Sequence, residues 1–245
     1  MKLFLAGLDS FLGKPLNKSM IDGCFVLESY YYASLKTLKY LPFYKDFLLD
    51  SGAFTFFSSG KVVDWEKYVE EYAKFIVDNN IKKFFELDID VLVGYPYVKS
   101  LRKKLEYLTG RKCIPVWHKS RGLDDFIELC NEYSYVAVGG IVSKEITQDE
   151  YELFSYLINE AHKRGVKVHG LGFTNLEGMK KYHFDSVDST SWTTGNRFGA
   201  IYKFNGKTME KVNKKQGQRI ADYYEVLRNN FNEWKKFQQY VDVML

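Results

Sequence analysis

Short apolar segments recur along this chain, and most of them end in a residue able to do chemistry. Phe47-Leu48-Leu49 ends at Asp50, Phe84-Phe85-Glu86-Leu87 at Asp88, and Cys113-Ile114-Pro115-Val116-Trp117 at His118. Tyr135-Val136-Ala137-Val138 ends at Gly139-Gly140, Val166-Lys167-Val168 at His169, and Phe184-Asp185-Ser186-Val187 at Asp188. With Lys2-Leu3-Phe4-Leu5-Ala6 these make seven segments of strand length. Near-continuous apolar strands alternating with helical patterns specify a parallel sheet covered on both faces. The expected fold is α/β, a TIM-type (β/α)8 barrel in a single domain spanning residues 1–245. The carboxyl ends of barrel strands open on one mouth, which would gather these strand-end residues.

The intervening stretches carry helical signals. Asp64 is an N-cap, and Trp65, Tyr68, Val69, Tyr72, Phe75 and Ile76 recur at helical spacing to about Asn79. Further helices are expected over 98–108, 123–131, 147–164 and 176–182. The Tyr-rich stretch 28–40 reads as the first helix or a helical loop, and Ala200-Ile201-Tyr202-Lys203-Phe204 as the eighth strand. A long helix over about 216–241 is expected to close the barrel floor or pack along its side.

At 245 residues the chain has the length of one such barrel and can bury a core without staples. Its apolar runs are too short to span a bilayer and its N-terminus lacks a signal-peptide layout, so a cytoplasmic protein with no membrane partner is expected. Cys24, Cys113 and Cys130 are odd in number and widely spaced, supporting neither a disulfide framework nor a CxxC metal site. No metal and no cofactor is expected. A net charge of +4 says little by itself, but residues 203–219 hold Lys203, Lys207, Lys211, Lys214, Lys215 and Arg219 against the single acid Glu210. That stretch reads either as a phosphate-tracking surface or as a solvated face.

Among the chemistry-bearing residues, Asp50-Ser51-Gly52-Ala53-Phe54 sets a carboxylate, a hydroxyl and a flexible glycine at a strand end. It reads as a loop whose backbone approaches a ligand closely or as a turn cap. Alternation along Phe184-Asp185-Ser186-Val187-Asp188 sends Asp188 to the same face as Ser186, at the mouth, where it is the natural nucleophile. Gly139-Gly140 offers backbone N–H groups to a ligand, or makes an ordinary turn. Asp90 is a second acid or a helix cap, and His169 lines the pocket or is a structural histidine. Asn196 and Arg197 hold a phosphate or form a solvated turn.

These pieces, in this order, resemble the tRNA-guanine transglycosylase superfamily, whose barrels exchange guanine in nucleic acid for a 7-deazaguanine base. Asp50-Ser51-Gly52-Ala53-Phe54-Thr55 looks like the family's DSGGFQ-type motif, and Glu86-Leu87-Asp88 like the strand end that reads the base. Ala137-Val138-Gly139-Gly140-Ile141 is similar to its AIGGL-type segment, and Val168-His169-Gly170-Leu171-Gly172 to its LMGVG-type segment. Phe184-Asp185-Ser186-Val187-Asp188-Ser189 matches the VDMFDC-like nucleophile strand. The resemblance covers roughly residues 48–197. It implies Asp188 as nucleophile, Asp50 as acid/base, and Asp88, Ser51, Gly52, Phe54, His118, Gly139, Gly140, His169, Gly170 and Trp192 as substrate contacts. Asn196, Arg197, Lys203, Lys207, Lys211, Lys214 and Lys215 would meet phosphates.

Two departures narrow the expectation. No cysteine follows Cys130, so the three-Cys, one-His zinc site of the tRNA enzymes cannot be assembled, and Pro115-Val116-Trp117-His118 stands where the family has GIVQGG. The chain looks more like the compact phage and bacterial branch that modifies DNA. The expected partners are DNA, with RNA as the other candidate, and a 7-deazaguanine base such as preQ0 or a derivative. Competing readings are a nucleic-acid N-glycosylase on the same scaffold, a tRNA enzyme, a phosphate-ester barrel, and a non-catalytic nucleic-acid-binding protein.

Overall fold

The structure is a computed structural model that describes residues 1–11, 17–32, 38–52, 63–194, 199–213, 217 and 222–245. Seven strands form one curled sheet: β1 (Lys2–Ala6), β2 (Phe25–Ser29), β3 (Asp46–Asp50), β4 (Val116–Trp117), β5 (Tyr135–Val138), β6 (Lys167–Gly170) and β7 (Ser186–Ser189). Their order is β3-β2-β1-β7-β6-β5-β4, and every pairing is parallel. All seven carboxyl ends therefore lie along one edge. The segment around Phe84 hydrogen-bonds on both sides: Leu49 N–H donates to Lys83 O (3.1 Å), Phe85 N–H to Leu49 O (2.9 Å), Glu86 N–H to Ile114 O (3.0 Å) and Ile114 N–H to Phe84 O (2.8 Å).

Alternation along each strand sorts side chains between two layers. Phe4, Ala6, Phe25, Leu27, Leu48, Phe85, Ile114, Val116 and Ala137 form the cluster within the curl. Leu3, Leu5, Val26, Val136, Val138, Val168 and Val187 face the other way and meet the helices. The helices are α1 (Trp65–Asp78) and α2 (Tyr95–Thr109), which cluster with Leu49 and Phe84, and α3 (Gly122–Glu132), α4 (Glu152–His162), α5 (Leu176–Lys181) and the terminal α6 (Tyr223–Met244), which cluster with the strand residues just named. Asp64 caps α1 as expected, accepting from Lys67 N–H at 3.1 Å, and Val69, Tyr72, Ala73 and Ile76 are the stripe it buries. No helix among the described residues is long and apolar enough to cross a membrane.

Two sequence expectations fail. Within 28–40, Glu28 and Ser29 finish strand β2 and Tyr30–Tyr32 form a turn, so the expected helical stretch does not begin at Glu28; Leu38 is helical, and 33–37 lie outside the described residues. The apolar run Phe25-Val26-Leu27 is too short to separate strand from helix by periodicity alone. The expected eighth strand, β8 (Ala200–Phe204), pairs antiparallel with β9 (Met209–Asn213) in a separate two-stranded sheet. Its exposure alternates, Ala200 and Tyr202 in, Ile201 and Lys203 out, as for a ribbon packed on one face.

Helix α6 lies against this ribbon and against β1 and β2 through buried amides. Asn230 Oδ1 accepts from Tyr202 N–H (2.8 Å), while its Nδ2 donates to Ala200 O and Trp192 O. Gln238 accepts from Phe25 N–H (3.1 Å) and donates to Leu3 O (2.7 Å) and Phe25 O (2.8 Å). It thus pairs the amino-terminal backbone of β1 and β2, as a neighbouring strand would, and leaves the carboxyl ends clear. Gln238→Leu strips partners from three buried backbone groups and is expected to cost about 2–4 kcal/mol in urea unfolding. A loss below about 0.5 kcal/mol would mean that water takes over those groups.

Candidate active site at the carboxyl ends of the strands

Three aspartates from three parts of the chain meet at this edge. Asp50 is the last residue of β3, Asp88 follows the Phe84 segment, and Asp188 is the third residue of β7. Their proximity registers on Asp50. Burial, then the charges of Asp88 and Asp188, push its carboxyl up to about 7, although the N–H groups of Gly52 and Ser51 pull the other way. Asp50 Oδ2 accepts from Gly52 N–H at 2.9 Å, the bond that the turn-cap reading expects. Gly52 has φ +74, and a Cβ there would lie 2.6 Å from Ser29 Oγ and Tyr31 Cβ, so only glycine fits.

Asp188 is 8% exposed and is held through one oxygen. Oδ1 accepts from Gly172 N–H at 2.7 Å and lies 3.3 Å from His169 Nε2. Behind it, His169 Nδ1 is 2.6 Å from Ser186 Oγ, which in turn meets the Tyr135 hydroxyl. His169 is 0% exposed, ringed by Phe4, Phe85 and Tyr135. It therefore orients Asp188 and does not line a pocket, which corrects its expected substrate contact. Ser186, His169 and Asp188 have the residue types of a hydrolytic triad, but Ser186 is buried beneath the other two, where no substrate carbonyl reaches it.

On the opposite side His118 joins two carboxylates. Nε2 lies 2.7 Å from Asp88 Oδ1 and Nδ1 lies 2.8 Å from Glu145 Oε2. Two carboxylate acceptors require two N–H donors, so the ring is an imidazolium. Burial opposes that charge, but the bond to Asp88, the fields of Asp88 and Asp90 and the bond to Glu145 outweigh it and push the pKa up to about 9. Because this lies above the usual value near 6.5, the stabilisation is fully present below about pH 6.5 and is lost as pH rises through 9. Melting temperature in EDTA-containing buffer is expected to fall between pH 7 and pH 10, and His118→Gln to flatten that limb. Parallel curves for the two proteins would refute the assignment.

The two glycines make room for this pair. Gly139 donates its N–H to Trp117 O at 2.9 Å, so the expected base contact through that amide is not available. A Cβ on Gly139 would lie 2.8 Å from the His118 ring, and one on Gly140, whose φ is +79, 2.9 Å from Glu145 Oε2. Their lack of side chains makes room for the His118–Glu145 bond.

Other expected contacts move into the core. Trp192 is 0% exposed, stacked 5.3 Å from Phe11 with its Nε1–H donating to Ala6 O. Trp117 is likewise buried against Phe126 and donates to Gly122 O, so neither ring is open to a base. Ser51 is fully buried, its carbonyl accepting from Tyr68. Gly170 packs against Phe173 and Phe184 in the helix-facing layer. Lys203, Lys207 and Lys211 are exposed on the β8–β9 hairpin, whereas Phe54, Asn196, Arg197, Lys214 and Lys215 lie outside the described residues.

Sequence reasoning left three participants unassigned. Gly172 holds Asp188, and with φ +67 and a virtual Cβ 2.4 Å from Val142 it must be glycine; its place in Val168-His169-Gly170-Leu171-Gly172 was the available signal. Glu145 sits in a bend and Arg121 ends a single 3-10 turn (Lys119–Arg121) just before α3, neither with a periodicity to mark it. Arg121 donates through Nε and Nη2 to Asp90 Oδ2 at 3.0 and 2.9 Å. The groove lined by Leu41, Pro42, Asp46 and Lys83 lies at the amino ends of the strands and holds none of these acids. Compared with protein-family models and with curated proteins, the chain matches none.

Proposed function

We propose that this chain is a transglycosylase that exchanges guanine in nucleic acid, DNA in preference to tRNA, for a 7-deazaguanine base. The carrying observation is that Asp50 and Asp188 share one electrostatic field yet stand in unlike surroundings, one pushed up to about 7 and the other anchored by Gly172 N–H. Pairs of carboxylates with divergent environments divide acid and nucleophile roles. We also read the fold as a (β/α)8 barrel, with the Phe84 segment as the strand between β3 and β4; its hydrogen bonds to Leu49 and Ile114 support this.

On this reading the second oxygen of Asp188 attacks C1′ of the target nucleotide. The glycosidic bond breaks, its electron pair leaves with guanine, and protonated Asp50 gives the departing base a proton. The sugar passes through an oxocarbenium-like state to an aspartyl ester, as in retaining glycosidases. The incoming deazaguanine then yields its N–H proton to Asp50, its nitrogen attacks C1′, and Asp188 is released. Asp88 retains an oxygen beyond the one held by His118 with which to accept from a base N–H. In duplex DNA the nucleotide must first leave the stack, at a cost of a few kcal/mol, and the lysines of the β8–β9 hairpin would hold the backbone.

The test incubates the protein with guanine-containing DNA, or with tRNA, and a labelled 7-deazaguanine. Label entering DNA supports the reading; label entering tRNA alone moves the substrate to RNA. Free guanine with an abasic site and no incorporation would make the protein an N-glycosylase, and no chemistry on either polymer would leave a binding protein.

A further inference from the structure

We infer that Asp88, Asp90 and His118 form a binding site for one divalent cation of the zinc class. The donor atoms, a carboxylate oxygen from each aspartate and an imidazole nitrogen, all lie within 4.8 Å of one another. His118 Nε2 is 2.7 Å from Asp88 Oδ1 and 3.9 Å from Asp90 Oδ1. A cation with metal–ligand distances of about 2.0–2.2 Å sets its ligands roughly 3–3.5 Å apart. The first separation must open by a few tenths of an ångström and the second close by a similar amount.

The second observation is Asp90 itself. Its side chain is 10% exposed, Arg121 grips Oδ2 from two nitrogens, and Oδ1 is buried with no hydrogen-bond partner. A buried carboxylate oxygen with no hydrogen-bond donor of its own carries a desolvation cost. A cation beside His118 Nε2 would satisfy it. The surrounding bonds also suit a metal. Glu145 Oε2 takes the Nδ1–H of His118 and is itself fixed through Oε1 by Ser120 N–H at 2.7 Å, which leaves Nε2 as the ligating nitrogen. Carboxylate–histidine–metal relays of this form set ring orientation in metalloproteins. In binding, the cation replaces the proton now shared between Nε2 and Asp88 Oδ1.

One imidazole and two carboxylates suit Zn2+ better than the all-oxygen sets of Mg2+ or Ca2+. Three protein ligands leave a fourth position for water or a ligand oxygen. The site stands independently of base exchange, because its occupancy is read without turnover, and Asp88 keeps its second oxygen for a base.

The full-length chain, stripped with EDTA and desalted, is titrated with ZnCl2 by calorimetry, with MgCl2 in parallel. The expected result is one saturable Zn2+ equivalent, weakened at least about tenfold by Asp90→Asn and by His118→Gln, and unchanged by Asp188→Asn. Absence of a saturable equivalent in the parent protein, or equal affinity in Asp90→Asn, overturns the site. Should the variants fail to fold, the visible spectrum of the Co2+-loaded parent decides. Ligand-field bands without thiolate charge transfer support the assignment; a thiolate band places the ion on a cysteine and refutes it. Loss of base exchange in Asp188→Asn with Zn2+ binding intact separates the two proposals.

Discussion

Asp188→Asn is expected to abolish base exchange, by about 10^4-fold or more, while the fold survives. The amide keeps the size of the carboxylate and an oxygen for Gly172 N–H, so the bond at 2.7 Å can be retained. It is a far weaker nucleophile, and removing the nucleophile of a covalent mechanism has cost about 10^6 in turnover elsewhere. The measurement is single-turnover incorporation of label, together with denaturing electrophoresis for the protein–nucleic-acid ester. Parent protein trapped without a second base should show the adduct, and the variant should not. Residual exchange within tenfold of the parent would remove Asp188 from the nucleophile's role.

Asp50→Asn should lower exchange by about 10^2- to 10^4-fold, the range for losing a general acid–base, and at the same time raise stability. The two effects have one cause. Burial and the charges of Asp88 and Asp188 hold the Asp50 pKa at about 7, above its ordinary value of 3.8. A raised carboxylate pKa means that the unfolded chain releases its proton first, so folding stability falls as pH rises from about 4 to 7 and stays low above that. An amide at position 50 escapes that loss. The variant should therefore melt higher than the parent at pH 8 and converge with it near pH 4, and the fall in rate above about pH 7, where Asp50 loses the proton it gives to the departing base, should vanish from its rate profile. A variant that melts lower at pH 8 would show that the Gly52 N–H bond matters more than the charge burial.

His118, Asp88 and Asp90 also show how a site reads differently in one dimension and in three. Each was marked in the sequence by its position after an apolar run, yet nothing there indicated that the imidazole would stand between Asp88 and Glu145. Glu145 lies 27 residues from His118 in a loop. Gly139 was noticed as a possible amide donor, but its N–H is taken by Trp117 O, and its use is the space it leaves for the ring. Trp192 carried the same ambiguity: an aromatic residue after a nucleophile strand is a stacking candidate until its indole is found donating to Ala6 O in the core.

The strand-and-helix alternation, the period that sends Ser186 and Asp188 to one face, and the aspartates at strand ends could all be read from the chain, because local periodicity is set by backbone geometry that every residue shares. Strand order, the paired backbone between β1 and β2 supplied by Gln238, and the withdrawal of β8 into its own ribbon were decided only in three dimensions. They depend on contacts between residues up to 235 positions apart. Such contacts leave no periodic trace, so sequence could supply the acids, but only the packed molecule sets which of them share a field, a hydrogen bond or a cation.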